Sequence, residues 1–134
     1  MAIEQFLHAY IASEQTFPDK ANIVVEGSKG KWVYLILEGR AKVTKRTSKG
    51  RITLAHLGEG SIIGELSVFE QGDSIRSATV TAMDGHVLVG ILDSERLIRE
   101  YESLSPRLKA LITSLIKRLR ESTDEVCNLA GEVY

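Results

Sequence analysis

From Phe17 to Leu92 the chain repeats one pattern, a short β-branched run followed by a glycine, and this rhythm restricts the possible folds more than any other feature. NIVVE, WVYLIL, RAKVTKR, RITLAHL, SATVTA and HVLVGIL are punctuated by Gly27, Gly30, Gly39, Gly50, Gly58, Gly60 and Gly85. β-branched side chains suit a pleated, half-buried surface, and glycine supplies the backbone freedom that tight turns need. Strands at this spacing predict an antiparallel sandwich or jelly-roll barrel. Within RAKVTKR the two-residue period sends Ala41, Val43 and Lys45 to one face and Arg40, Lys42, Thr44 and Arg46 to the other, which reads as a solvated basic face.

Helical spacing flanks the β region on both sides. Ile3, Phe6, Leu7, Tyr10 and Ile11 form one apolar face, predicting a short N-terminal helix over residues 1–16. Leu97, Ile98 and Tyr101 restore the helical period after Asp93. Ser105 and Pro106 then stand where a cap and a first helical residue belong. Leu108, Ile112, Leu115, Leu119, Val126, Leu129 and Val133 step by fours and threes, interrupted at Ser122, as in a coiled-coil seam. The alternative reading is a helix packed along its own barrel. At 134 residues the chain fits one domain, with a β-roll over 17–93 and helices over 94–134. The fold class is α+β, mainly β: an antiparallel jelly-roll, or double-stranded β-helix, barrel with a short N-terminal helix and a long C-terminal dimerisation helix.

Chemistry concentrates in GSIIGELSVFEQGDSIRSATV, residues 60–80. Gly64 followed by Glu65–Phe69 can make one helical turn, whose free N–H groups suit an anion. Arg76 returns after a short loop, and its planar guanidinium can make two charge-assisted hydrogen bonds to one phosphate. Glu65 would repel a phosphate but accepts well from sugar hydroxyls, so the pair reads as a clamp for a phosphate and a ribose together. A structural ion pair in a loop is the alternative. A glycine-rich dinucleotide turn at Gly58, Gly60 and Gly64 fits poorly, because the spacing is one residue too long and no full helix follows.

Other function classes find little support. The net charge of −1 shows no bulk attraction to nucleic acid or acidic membranes. Cys127 is the single cysteine, so no disulfide forms within the chain, and no signal peptide or spanning apolar run is evident, which predicts a cytoplasmic protein. His8, His56 and His86 lack paired metal-ligand spacing, and no serine sits in a nucleophile elbow. Neither metal nor catalysis is expected, although a metal-dependent jelly-roll enzyme stays as a rival reading. Lys117, Arg118 and Arg120 read as the solvated outer face of the last helix.

F17-x5-I23-x2-E26-G27, V33-Y34-L35-I36-x2-G39, G60-x3-G64-E65-L66 and R76-S77-A78-T79-V80 together resemble the cyclic nucleotide-binding domain family. Within it the likeness is to the ligand-binding half of the bacterial cyclic AMP receptor protein, through IGEL, VFEQG, RSA and RLRESTDEVCNLA. The resemblance implies a phosphate and ribose site of Gly64, Glu65, Leu66, Ser67, Arg76, Ser77 and Ala78. There, backbone amides and Arg76 hold the cyclic phosphate, Ser77 adds a hydroxyl, and Glu65 takes the ribose 2′-hydroxyl. It also implies that Ser122 and Thr123 contact the base, one of them across a homodimer interface, with their order exchanged relative to the receptor. Cyclic AMP is the expected ligand and cyclic GMP a possible one, with an unknown downstream protein as partner. Two departures are visible: Lys20 stands where the family has a turn glycine, and the loop between Phe69 and Arg76 is one residue longer. The receptor's DNA-reading helix-turn-helix has no counterpart before Tyr134, so direct nucleic-acid binding is not expected. A dimeric scaffold that binds no nucleotide is the alternative function on the same fold.

Overall fold

The computed structural model describes residues 3–69 and 75–133. The loop 70–74 and the side chains of Ile3, Ser67 and Val133, on which parts of the sequence reading fall, lie outside the described residues. A 3-10 helix (Ile3–Tyr10) leads into β1 (Ile11–Phe17), β2 (Asn22–Val24), β3 (Val33–Thr47), β4 (Gly50–Leu57) and β5 (Ile62–Ile63). There follow α1 (Leu66–Phe69), β6 (Thr79–Leu92), α2 (Ser94–Glu102) and α3 (Pro106–Val133).

β3 and β6 form the spine of an antiparallel jelly roll. They pair from Val33 opposite Leu92 to Thr44 opposite Thr79; β1 and β2 join β6, while β4 and β5 join β3. Because side chains alternate across a strand, β3 serves two interiors. Tyr34, Ile36 and Ala41 pack inside the roll with Val87 and Val89 of β6. Val33 and Leu35 face the other way, where Leu97, Ile98 and Tyr101 of α2 and Leu7 and Tyr10 of the N-terminal helix cover them. Leu35, Val87 and Val89 are 0% exposed, and each such side chain contributes roughly 1.5–3 kcal/mol by leaving water.

Two glycines predicted as turns instead lie inside strands. WVYLIL and RAKVTKR belong to one strand running through Gly39, and SATVTA and HVLVGIL to one running through Gly85. Gly39 has φ +96°, the β3–β6 register shifts on either side of Glu38, and a Cβ at Gly39 would lie 2.5 Å from the His86 carbonyl oxygen. The glycine is there for close backbone approach and a bulge, both of which keep the strands paired through a bend.

Thr44 departs from the solvated surface expected for its face. It keeps its place in the alternation, since β3 pairs with β6 without a shift from Arg40 to Thr44 and the nearby bulge lies in β4 at Leu54, but it is buried, with Arg51 Nη1 donating to its Oγ1 at 3.0 Å. The N-terminal helix is also shorter than the 1–16 expected. Residues 11–17 are taken up as an edge strand by β6, with Phe17 opposite Val87, and Phe6 is exposed rather than buried. Lys20 keeps the backbone of the glycine it stands in for: its φ is +67°, and its N–H donates to the Ala82 carbonyl at 3.0 Å.

The helical punctuation matches the sequence. Asp93 caps α2 by accepting from the Arg96 N–H at 3.1 Å, and Ser105 Oγ accepts from the Leu108 N–H at 3.2 Å at the start of α3. α3 contacts β3, β4 and α1, and along one side Ile112, Ile116, Arg120 and Thr123 are half-buried and Cys127 is buried. Its other side carries Leu108, Leu111, Leu115, Leu119, Val126 and Leu129, all 49–57% exposed. α3 thus has one side seated on the domain and an exposed apolar stripe on the other, where Leu111 stands in the place assigned to Ile112. No described helix is long and apolar enough to cross a membrane.

Gly39→Ala is expected to destabilise the fold by at least about 2 kcal/mol, combining positive-φ strain with collision against the His86 carbonyl. Gly50→Ala, at φ +121° but with nothing within 4 Å of the added methyl, should cost less. Urea denaturation giving equal losses would contradict the close-approach explanation.

Candidate functional site

The sequence joins two walls of one cavity. On the first, β5 ends at Ile63, the chain turns at Gly64 with φ +81°, and one helical turn follows, in which the Val68 N–H donates to the Glu65 carbonyl at 3.1 Å. On the second, residues 75–78 are fastened to the turn after β2. The Arg76 N–H donates to the Ser28 carbonyl at 2.8 Å, the Arg76 carbonyl accepts from the Gly27 N–H at 2.8 Å, and Lys29 bridges Ile75. Lys45 of β3 adds a further tie, Nζ donating to the Ser77 carbonyl at 2.8 Å.

The Arg76 side chain is held as firmly as its backbone. Nη2 donates to the Trp32 carbonyl at 2.7 Å. A Cβ on Gly30 would lie 2.9 Å from both Nε and Nη2, and one on Gly64 would fall on Nη1. The guanidinium thus lies between two glycines, a space that exists only because neither has a side chain. Burial lowers the Arg76 pKa from its ordinary value, while Tyr34 and the Glu65 carboxylate oppose that shift. Burial likewise raises the Tyr34 phenol, with the Arg76 charge acting against it.

The cavity enclosed has a volume of about 250 Å³. Gly64, Glu65, Leu66, Arg76, Ser77 and Ala78 line it, so six predicted phosphate and ribose residues do share one surface. Glu65 and Ser77 are exposed and Arg76 is half-buried. Most of the remaining wall is apolar, with Val43 of β3, Leu57 of β4 and Ile62 of β5. This arrangement offers a fixed cation, an accessible carboxylate and a greasy slot, the makings of a site for an anionic, hydroxylated, flat ligand.

Ser122 and Thr123 are not among the lining residues. Ser122 is exposed on the seam side, and Thr123 is half-buried with its Oγ1 donating to the Leu119 carbonyl at 3.0 Å. The residue of α3 that does line the cavity is Arg120, which the sequence placed on the solvated face. Its signal was its spacing: Ile112, Ile116, Arg120, Thr123 and Cys127 continue one helical stripe. Gly30 read only as a turn, and the Trp32 carbonyl is a backbone acceptor that no side-chain pattern announces. Among the described residues there is no group of three or more His, Cys, Asp and Glu able to hold a metal ion.

Comparison with known proteins agrees with this architecture. The description "Cyclic nucleotide-binding domain" matches residues 14–103, and the chain belongs to that family. It is 31% identical over 131 residues to the cAMP-activated global transcriptional regulator CRP of Salmonella typhimurium, covering 96% of this chain and 60% of the relative. It is also 32% identical over 119 residues to the cyclic AMP receptor protein of Thermus thermophilus, covering 87% of this chain and 53% of that one. The chain therefore spans only about 60% of the length of the first of these relatives. Among solved structures, the cAMP-bound form of the EAL enzyme Bd1971 superposes with a TM-score of 0.76 at 27% identity, over 85% of this chain and 30% of that one. Its cGMP-bound form gives 0.72 at 28% identity, over 84% and 30%.

Gly64→Ala should unseat the guanidinium and strain the turn, lowering stability by about 1–3 kcal/mol. Because Arg76 donates to the carbonyl of Trp32, the one tryptophan of the chain, the variant should also shift intrinsic fluorescence. Unchanged melting and emission together would contradict the packing described.

Proposed function

We propose that the chain is a cyclic nucleotide sensor, with cyclic AMP as ligand, that passes occupancy through α3 to a second copy of itself and on to a downstream protein. The observation that carries this reading is the Arg76 guanidinium, fixed between Gly30 and Gly64 on the wall of a cavity that also presents Glu65 and Ser77. Arg76 and the amides of the Gly64–Leu66 turn hold the cyclic phosphate, Ser77 and Ala78 complete that wall, and Ser67 belongs to the same turn. Glu65 accepts from the ribose 2′-hydroxyl.

The relatives support the ligand class: the curated ones are named as cAMP-activated or cyclic AMP receptor proteins, and one structural neighbour has been solved with cAMP and with cGMP. Ser122 and Thr123 are proposed to reach the base once α3 pairs with its copy. Residues at the same helix then meet both ligand and partner, so occupancy can bias the packing of the pair. The role is one of binding without catalysis.

The exposed apolar seam of α3 also suits the rival reading, a dimeric scaffold without ligand. That reading gives no reason to desolvate a guanidinium on a cavity wall, a cost that an anionic ligand offsets.

Arg76→Ala should weaken cyclic AMP binding by at least about tenfold, equivalent to 1.4 kcal/mol, in calorimetry. In the unaltered protein, cyclic AMP at 100 times its dissociation constant should add about 2.7 kcal/mol of stability, and no thermal shift with cyclic AMP, cyclic GMP or AMP would favour the scaffold.

Replacing Leu115 and Leu119 together by glutamate places charges in the seam and should convert a dimer to a monomer in sedimentation. A wild-type chain already monomeric at high concentration would count against the dimer.

A further inference from the structure

We propose that Arg120 reads the base of the bound nucleotide and widens the site from adenine to guanine. The inference rests on the cyclic nucleotide reading above and concerns the choice between bases, which that reading leaves open.

Arg76 and Glu65 fix where phosphate and ribose lie, because both belong to the wall made by the Gly64 turn and the segment following residue 74. The base then extends along the mainly aliphatic remainder of the lining, which includes Val43, Leu57 and Ile62 and where Arg120 of α3 is the charged residue. The three aliphatic residues contact either purine face equally well and cannot tell one base from another. Arg120 can. It is half-buried on the stripe of α3 that faces the roll, one helical turn before Thr123.

A guanidinium carries only donors. The N7/O6 edge of guanine presents two acceptors, which it can engage bidentately, whereas the same edge of adenine presents N7 as acceptor and the N6 amino group as donor. Adenine therefore takes at most one hydrogen bond from Arg120 on that edge and places an amino group against its other N–H. The hydroxyls of Ser122 and Thr123 both donate and accept, so they hold either base without choosing. Arg120 is left as the residue whose chemistry discriminates. A glutamine amide offers one donor and one acceptor, the complement of adenine's edge.

Calorimetric titration of cyclic AMP and cyclic GMP into the full chain and into Arg120→Gln tests this directly. Both nucleotides should bind the unaltered protein. Arg120→Gln should weaken cyclic GMP by about tenfold or more while leaving cyclic AMP within about threefold. Melting of the unliganded variant at the wild-type temperature shows that the fold is intact; should it melt lower, Arg120→Lys, which keeps charge but loses the planar fork, supplies the same comparison. A cyclic GMP to cyclic AMP affinity ratio unchanged by either substitution would overturn the inference and leave Arg120 a packing residue. Wild-type binding of cyclic AMP alone would overturn it too, with the sensor reading intact. Binding of neither nucleotide would overturn the sensor reading itself.

Discussion

Everything in this molecule hangs on the pairing of β3 with β6. Each of the other strands is hydrogen-bonded to one of these two, and both helical caps rest on the side chains that β3 turns outward. The pairing has to bend to close a roll, and it does so where Gly39 lets the backbone of one strand approach the His86 carbonyl of the other. A side chain there would force the strands apart at the point where the curvature is made. Burial of β3 on both faces follows from the same geometry, since one face lines the roll while the other supports α2 and the N-terminal helix.

The candidate site grows from this frame. The residue just before β3 provides the Trp32 carbonyl, the segment leading into β6 provides Arg76, and β5 delivers Gly64 beside them. A cation placed by two glycines and a carbonyl does not need a carboxylate touching it. It lines the cavity half-buried, while Glu65 on the same lining is exposed. The division of labour that the residue types suggest, cation for phosphate and carboxylate for sugar, is thus compatible with where the fold puts them.

Much of this was legible in the residues. Runs of β-branched side chains identified the strands, Ser105–Pro106 and Asp93 marked helix starts, and the glycine–glutamate–arginine spacing picked out Gly64, Glu65 and Arg76, to which the family resemblance added Leu66, Ser77 and Ala78 on the same cavity wall. Gly39 and Gly85 misled because a glycine at a turn and a glycine at a bulge look alike in one dimension. Thr44 was expected in solvent because its face is otherwise basic, and its burial beside Arg51 depends on tertiary packing that no residue type advertises. Arg120 escaped notice because a basic residue on a helix is usually solvated, and only the rotation of α3 on the roll decides otherwise. The ends of long-range hydrogen bonds, such as the Trp32 carbonyl, depend on tertiary placement alone.

Cys127 sits on the same stripe of α3 as Arg120 and Thr123, only 6% exposed against the roll. Its thiol is shielded while that helix stays seated and would become reachable only on local opening. The chain thereby carries a chemical stopwatch: the pace at which an alkylating reagent consumes the lone sulfhydryl would measure how often this part of α3 opens.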